Sequence, residues 1–320
     1  MTPAALFSAH WLDAEEVVVF GDGHINDSYL VRAGAERYVL QKINRRVFVD
    51  PAQVMRNTER VLDHCRGRVP LAELVRTKDR RTHVDVSGEV WRVWRHLPGR
   101  SLSALQNVTQ ARCVGDAYGA FQSCLDNLPG SRLTDPIAGF MQLRSYLSAY
   151  DAVCGHDHPL AVVVDSLRSL ADRFASPNRH IHGDCKVNNV LFDERDTVAA
   201  VLDLDTAMWG HWAWDFGDLA RSACAQNSRF DTGLFRALLE GFVPHAPEHD
   251  VDALVLSPCY VAGMLGVRFL TDHLQGDIYF KVSRRGDNLA RAEAQFALLE
   301  SMRSQEVQMR ALAIEILEGE

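Results

Sequence analysis

Asp184 and Asn189 stand five positions apart inside Ile181-His182-Gly183-Asp184-Cys185-Lys186-Val187-Asn188-Asn189, and a second acidic pair follows in Val201-Leu202-Asp203-Leu204-Asp205. Moving a phosphoryl group onto a hydroxyl calls for these residue types: a carboxylate to take the proton, and an amide with a further carboxylate to hold Mg²⁺ against the phosphates. The spacing makes Asp184 the candidate base, with Asn189 and Asp203 as candidate metal ligands. Val190 to Asp193 and Val198 to Asp205 read as strands joined by the polar turn Glu194-Arg195-Asp196, so a hairpin turning near Arg195 brings Asp203 back beside Asn189. If the extended geometry persists, Asp203 and Asp205 share a face, which makes Asp205 a second candidate ligand. A surface loop kept acidic for solubility is the competing reading, and the combined spacing weighs against it.

The offset from Asp184 to Asn189 is that of the protein-kinase catalytic loop H-R-D-x-x-x-x-N. Asp215-Phe216-Gly217 spells the protein-kinase metal motif, but it follows the Trp-rich stretch Trp209 to Trp214 and opens a helix instead of ending a strand. We therefore read Asp215 as structural, accepting backbone N–H bonds from the catalytic loop. Gly21-Asp22-Gly23 between two strands fits a hairpin folded over nucleotide phosphates, since glycine lets backbone N–H groups approach closely. On its own it reads better as an ordinary turn. On the third strand Gln41 and Lys42 both compete as phosphate contacts and point to opposite faces. Matching Tyr38-Val39-Leu40-Gln41 to the kinase pattern V-A-I-K puts Gln41 at the lysine position and Lys42 on the solvent side. Glu59 on the next helix is a candidate partner for a cation there, although a lone helical glutamate is usually solvated. No G-x-x-x-x-G-K-[ST] sequence is present, which disfavours a P-loop. His156-x-His158 and His245-x-x-x-His249 lack a completing carboxylate or cysteine, and Pro247 interrupts the second pair, so both read as surface histidines.

Positioning these groups requires a small sheet in front of a helical body. Val17 to Phe20, Ser28 to Arg32 and Tyr38 to Ile43 read as strands, and Pro51 opens a helix with Asp50 as N-cap and Gly67 beyond its end. Thr82 to Val86 and Val90 to Trp94 form a hairpin about Ser87-Gly88, and His96-Leu97-Pro98-Gly99 breaks the pattern. We place the boundary there: residues 1–97 form a nucleotide-binding lobe, and 98–320 a helical lobe carrying the catalytic loop and acceptor pocket. Helical periodicity predicts helices at 109–127, 139–153, 160–174, 213–225, 231–242, 250–273 and 288–317. The last, with Leu289, Phe296, Leu299, Met302 and Leu312, reads as a core-packing element. The expected class is α+β, with a small β-rich N-terminal lobe and a larger, mostly helical C-terminal lobe.

Composition narrows the function classes. With 320 residues, 47% hydrophobic and 24% charged, the chain has the make-up of a globular protein large enough for two lobes sharing a cleft. A net charge of -8 disfavours nucleic acid as the main partner. Seven cysteines, odd in number and without a CxxC pair, signal neither a disulfide framework nor a thiolate zinc site. Uncharged apolar runs fall short of a membrane span, and Met1 to Asp13 lacks the pattern of a signal peptide, so a soluble, cytoplasmic protein is expected.

Through His182-Gly183-Asp184 to Asn189 and Val201-Leu202-Asp203 the chain resembles the aminoglycoside phosphotransferase and choline kinase superfamily, whose fold is protein-kinase-like. Further stretches are similar to the N-acetylhexosamine 1-kinases within it: Gly23-His24-Ile25-Asn26-Asp27-Ser28-Tyr29, Tyr38 to Asn44, Asp203-Leu204-Asp205-Thr206, Asp215-Phe216-Gly217-Asp218, Arg268 to Asp272 and Gly276 to Lys281. They span nearly the whole chain. The resemblance implies ATP- and Mg²⁺-dependent phosphorylation of the anomeric hydroxyl of N-acetylglucosamine or N-acetylgalactosamine. It implies Asp184 as base, Asn189 and Asp203 on Mg²⁺, and Arg268 and Tyr279 in the sugar pocket. One departure stands out: Met208-Trp209-Gly210 replaces an expected Met-Pro-Gly, and Trp212 and Trp214 follow, as either a stacking wall or core filling. The alternative within the fold is a kinase for an aminoglycoside, choline or homoserine. Asp218, Asp272 and Asp277 are candidates for the acidic pocket a cationic acceptor needs, and Asp218 counts among the substrate candidates. A non-catalytic nucleotide-binding protein is disfavoured by the joint presence of Asp184, Asn189 and Asp203.

Overall fold

Period-two runs dominate the N-terminal part and close into one antiparallel sheet. In the computed structural model, which describes residues 1–21, 25–153 and 158–319, helix α1 (Pro3–His10) precedes strands β1 (Glu16–Val19), β2 (Asp27–Ala33) and β3 (Glu36–Lys42). Helix α2 (Pro51–Cys65) follows, and β4 (His83–Val86) and β5 (Glu89–Arg95) complete the order β1-β2-β3-β5-β4. Alternation gives this sheet two faces. Val31, Tyr38, Leu40, Val84 and Val93 pack on Leu6, Phe7 and Trp11. Gln41, Arg92 and Trp94 lie on the other face, where Arg92 reaches Met55 of α2. Asp50 caps α2, its Oδ1 accepting from the N–H of Gln53 at 3.0 Å. Helix α1 was not anticipated, because only Leu6 and Phe7 of its eight residues are buried and no amphipathic stripe forms.

The chain leaves the sheet through Gly99, where φ is 149° and a Cβ would lie 2.7 Å from both Leu191 Cγ and the Phe192 carbonyl oxygen. Only glycine lets this crossing lie flush against the chain at Leu191 and Phe192. Beyond it come β6 (Arg100–Ser101), α3 (Val108–Cys124), α4 (Leu143–Asp151), α5 (Ala161–Asp165) and α6 (Arg168–Arg173). Then follow β7 (Arg179–Ile181), β8 (Val190–Phe192), β9 (Val198–Val201) and β10 (Met208–Gly210). The chain ends with α7 (Trp212–Ala223), β11 (Ala225–Gln226), β12 (Arg229–Phe230), α8 (Thr232–Phe242), α9 (Val251–Leu274), α10 (Asp287–Ser304) and α11 (Glu306–Glu318). A β-rich N-terminal region and a helical C-terminal part are therefore both present, as expected.

Three expectations need correction. The helix expected at 160–174 breaks into α5 and α6, and that expected at 288–317 breaks at Gln305, where φ falls to -110°. The strand expected over Val198 to Asp205 ends at Val201. Trp212 and Trp214, left open between wall and core, are each 1% exposed and belong to the large hydrophobic cluster with Phe216, Phe235, Tyr260 and Leu299. Helix α9 is long and apolar enough to cross a membrane, but 78% of its most apolar window is buried inside the protein, as in a core helix.

Candidate active site

A hairpin with a tight polar turn brings the acidic groups together. Asp193 closes the turn between β8 and β9, its Oδ1 accepting from the N–H groups of Arg195 at 2.8 Å and Thr197 at 2.9 Å. The N–H of Leu202 donates to the Asn189 carbonyl at 2.8 Å, so the chain bearing Asp203 runs beside the chain bearing Asn189. Asp203 then adopts a left-handed conformation, φ 60° and ψ 68°, and opens a 3₁₀ turn over Leu204–Thr206. This inversion ends the strand alternation on which the pairing of Asp203 with Asp205 rested. Asp203 opens to solvent, whereas Asp205 is 2% exposed. The Asp205 oxygens are held by Arg92 Nη1 at 2.5 Å and Nη2 at 2.9 Å, and by Asn26 Nδ2 at 2.8 Å. Asp205 is therefore a buried ion-pair residue with both oxygens engaged, and not the second metal ligand expected from the strand pattern.

The catalytic loop is anchored from behind. Gly183 has φ 82°, and a Cβ there would sit 2.6 Å from the Thr206 carbonyl oxygen, so loop and acidic turn touch backbone to backbone. His182 is fully buried, with Nε2 donating to the Leu202 carbonyl at 2.9 Å and Nδ1 accepting from the N–H of Asp184 at 3.2 Å. Asp215, near the start of α7, accepts from the N–H groups of His182 and Gly183, each at 2.8 Å. That is the structural role read from the sequence, and the Asp-Phe-Gly spelling is coincidental. Asp184 is half-buried, and its Oδ2 accepts from Lys186 Nζ at 2.7 Å and Asn189 Nδ2 at 2.8 Å.

The electrostatics separate the two carboxylates. Burial pushes the Asp184 carboxyl up, but the charge and hydrogen bond of Lys186, with the Asn189 amide, outweigh it and hold the pKa below the ordinary carboxylate value. Lys186 is held above its ordinary value, Asp184 outweighing the burial that pulls it down. Asp203 is pushed up to about 6 by its surroundings, by Asp205 and by Asp184. The residue is exposed to solvent and, among the described residues, its carboxylate accepts no hydrogen bond. An uncompensated carboxylate beside an amide side chain is a hard-oxygen donor set suited to Mg²⁺. Among the described residues no three His, Cys, Asp or Glu side chains group to hold a metal unaided. Lys186 is a site residue the sequence reading passed over, although its place two residues after Asp184 was visible.

On the sheet side, Gly21 has φ 74°, as a glycine turn requires, while Gly23 lies outside the described residues. Gln41 faces Asp205 across Arg92, and Lys42 lies on the opposite face, paired with Asp27 at 2.8 Å and 5.9 Å from the Trp91 ring centroid. Gln41 Oε1 is occupied by Arg92 and Trp94, and Lys42 points away from the acidic turn. Neither side chain presents a free group toward the catalytic loop, so the phosphate-contact expectation finds no support at these two positions. Glu59 contacts Thr82 and His83 instead of any strand-three cation. Arg92 is the cation that sequence reasoning missed, since nothing in Trp91-Arg92-Val93 marks it until strand pairing sets it opposite Gln41.

Arg268, on α9, and Tyr279, on the segment after it, converge through tertiary packing. The guanidinium lies over four aromatic rings: Tyr146 at 4.9 Å, Phe280 at 5.3 Å, Phe140 at 5.7 Å and Tyr279 at 5.8 Å. Among the described residues it forms no ion pair. The candidate acidic residues are all engaged internally. Asp218 is 5% exposed and accepts from Arg221 at 2.6 Å, and Asp277 accepts from Asn288 at 2.9 Å. Asp272 accepts from the N–H groups of Ile278, Tyr279 and Phe280 at 3.0, 2.8 and 2.9 Å, which fixes the segment presenting Tyr279. Trp209 is half-buried, with Arg132 over its ring at 4.3 Å.

The fold is shared with known proteins. Residues 16–249 match the model of the phosphotransferase enzyme family. An aminoglycoside phosphotransferase from Alicyclobacillus acidocaldarius superposes with a TM-score of 0.61 at 17% identity, covering 96% of this chain and 97% of that one. A microcompartment-associated aminopropanol kinase gives 0.65 at 12% identity, covering 96% and 97%. A spectinomycin phosphotransferase in complex with ADP and spectinomycin gives 0.60 at 12% identity, covering 95% and 97%. At these identities the likeness establishes the fold, which is protein-kinase-like.

Proposed function

Because the chain belongs to the phosphotransferase enzyme family over residues 16–249, and is therefore a phosphotransferase acting on a small-molecule hydroxyl, we propose that it is an ATP- and Mg²⁺-dependent kinase of an N-acetylhexosamine, forming the sugar 1-phosphate. The observation that carries the chemistry is the Asp184 carboxylate held by Lys186 and Asn189 beside the open carboxylate of Asp203. Asp184 takes the proton of the acceptor hydroxyl as that oxygen bonds to the γ-phosphorus and the β–γ bridging oxygen leaves with ADP. Asn189 and Asp203 would hold Mg²⁺, which when bound neutralises charge on the phosphates. Lys186 keeps Asp184 ionised and oriented.

The acceptor follows from the aromatic-walled Arg268. A neutral sugar offers hydroxyls and an acetamide to fixed donors, and carbon faces to an aromatic wall. A polycationic aminoglycoside would meet an uncompensated guanidinium, and Asp218, Asp272 and Asp277 are already occupied by internal partners. The departure at Trp209 leaves the sugar's identity resting on Arg268 and Tyr279. ADP release measured against N-acetylglucosamine, N-acetylgalactosamine, glucose, choline, homoserine, 1-amino-2-propanol and kanamycin tests the reading. The N-acetylhexosamines should give the highest kcat/KM and glucose clearly less, because a pocket built for the acetamide leaves polar groups unpaired. Preference for a cationic alcohol would overturn the acceptor while leaving the phosphotransfer chemistry in place.

A further inference from the structure

The small lobe carries a cation that acts on the acidic turn instead of on phosphate. Gln41 and Arg92 are directly paired residues of β3 and β5, with Trp94 on the same face. Position 41 matches the kinase pattern where a lysine is expected, and here it is uncharged. The positive charge paired directly with Gln41 on this face is Arg92, whose side chain is only 1% exposed. Each of its three nitrogens is engaged. Nη1 and Nη2 donate to the two Asp205 oxygens at 2.5 and 2.9 Å, and Nη2 and Nε donate to Gln41 Oε1 at 3.0 and 3.2 Å. Nη1 also lies 3.8 Å from Met55 Sδ, which closes the remaining side. A guanidinium so enclosed reaches phosphate only by releasing Asp205, and a bidentate fork is the geometry of a fixed pair.

What the pair fixes is the turn. Asp203 departs from the strand in a left-handed conformation and Asp205 sits two residues on, inside the 3₁₀ turn. Thr206 Oγ1 ties the far end of that turn to the His182 carbonyl at 2.9 Å. Arg92 and Asn26 hold the middle from the sheet side. With both ends of the segment held, the direction in which the Asp203 carboxylate leaves the backbone is set. We propose that Arg92 is a positioning residue for Asp203, acting through Asp205, and that Gln41 is the neutral acceptor that orients it. This small-lobe clamp stands where a phosphate-binding lysine would otherwise be. The inference rests on the phosphotransferase reading of the site.

Gln41 Oε1 accepts from Arg92 Nε and Nη2 and, at 2.7 Å, from Trp94 Nε1. Gln41→Lys removes that acceptor and sets an ammonium beside a guanidinium, so it should impair the enzyme.

The test uses the full-length protein, with Mn²⁺ binding in the presence of ADP followed by electron paramagnetic resonance, and with steady-state kinetics alongside. Arg92→Met alone leaves a buried carboxylate unpaired and risks unfolding, so the informative variant is Arg92→Met/Asp205→Leu, which removes both charges together. It should stay folded by circular dichroism, bind Mn²⁺ with ADP about 10- to 100-fold more weakly, and lose kcat by a similar factor, the usual effect of a group that orients a metal ligand. Acceptor KM, and ADP binding in EDTA, should change less than about threefold. Gln41→Lys should shift Mn²⁺ binding in the same direction. Wild-type Mn²⁺ affinity in the double variant, weakened ADP binding in EDTA, or tighter nucleotide binding by Gln41→Lys would each overturn the proposal. Wild-type protein that binds no ADP at all would instead defeat the phosphotransferase reading, a separate and distinguishable outcome.

Discussion

Replacing Asp215 with alanine asks whether the carboxylate spelled like a metal ligand is part of the scaffold. It is 2% exposed and accepts 2.8 Å hydrogen bonds from the N–H groups of His182 and Gly183, so alanine strands two backbone donors away from water. A hydrogen bond to a charged group contributes about 1.5–3 kcal/mol net, so two contribute about 3–6 kcal/mol. Burial also pushes the Asp215 carboxyl above its ordinary pKa, and removing a buried charge offsets part of that loss. We expect a destabilisation of roughly 2–5 kcal/mol, read from urea denaturation by tryptophan fluorescence, with Trp212 and Trp214 reporting from the same helix. Asp215→Asn keeps one acceptor oxygen and should cost about half as much. At a temperature where Asp215→Ala remains folded, its Mg²⁺ half-saturation should match wild type even though turnover is lower. A loss under about 1 kcal/mol together with a shifted Mg²⁺ requirement would refute the structural role.

Asp184→Asn removes the proton acceptor and should lower kcat by about 10²- to 10⁴-fold with little change in ATP KM; retention of more than half the rate would exclude Asp184 as base. Asp203→Ala should abolish most turnover and Mg²⁺ dependence without unfolding the protein. Asp205→Ala should instead destabilise by about 3–5 kcal/mol, because it leaves Arg92 buried and unpaired; equal melting temperatures for the two variants would contradict this. With its pKa raised to about 6 when no metal is bound, Asp203 gains a proton as pH falls through that value. Mg²⁺ half-saturation should therefore rise between pH 7.5 and 5.5, and excess Mg²⁺ should restore the rate; a flat dependence would contradict the assignment. Arg268→Ala and Tyr279→Ala should each lower kcat/KM for the sugar by about 10- to 200-fold while ATP KM holds, and parallel losses for both substrates would point to a purely structural role.

What the sequence carried plainly was local. The Asp184-to-Asn189 offset, the turn signal around Arg195 and the Asp50-Pro51 helix start all depend on residues a few positions apart, and the hairpin formed as read. The seam between Asp203 and Asp205 was not legible, because one left-handed residue reverses the side-chain phase and no glycine or asparagine announces it. Arg92 was hidden for a different reason. Its role exists only after β3 and β5 pair, and a lone arginine in an aromatic strand resembles a solvated one. Trp212 and Trp214 went to the core because α7 is buried on nearly all sides, and helical periodicity alone marks just one buried face.

Transfer of phosphate to the anomeric oxygen of an N-acetylhexosamine can be read from the proton-coupled ³¹P spectrum of the product formed from wild-type protein, ATP, Mg²⁺ and N-acetylglucosamine. A new phosphomonoester resonance split by the single anomeric proton is expected, with one ADP formed per sugar consumed. A resonance coupled to the two protons at carbon 6, or no phosphosugar under conditions where an aminoglycoside or amino alcohol is phosphorylated, would contradict it.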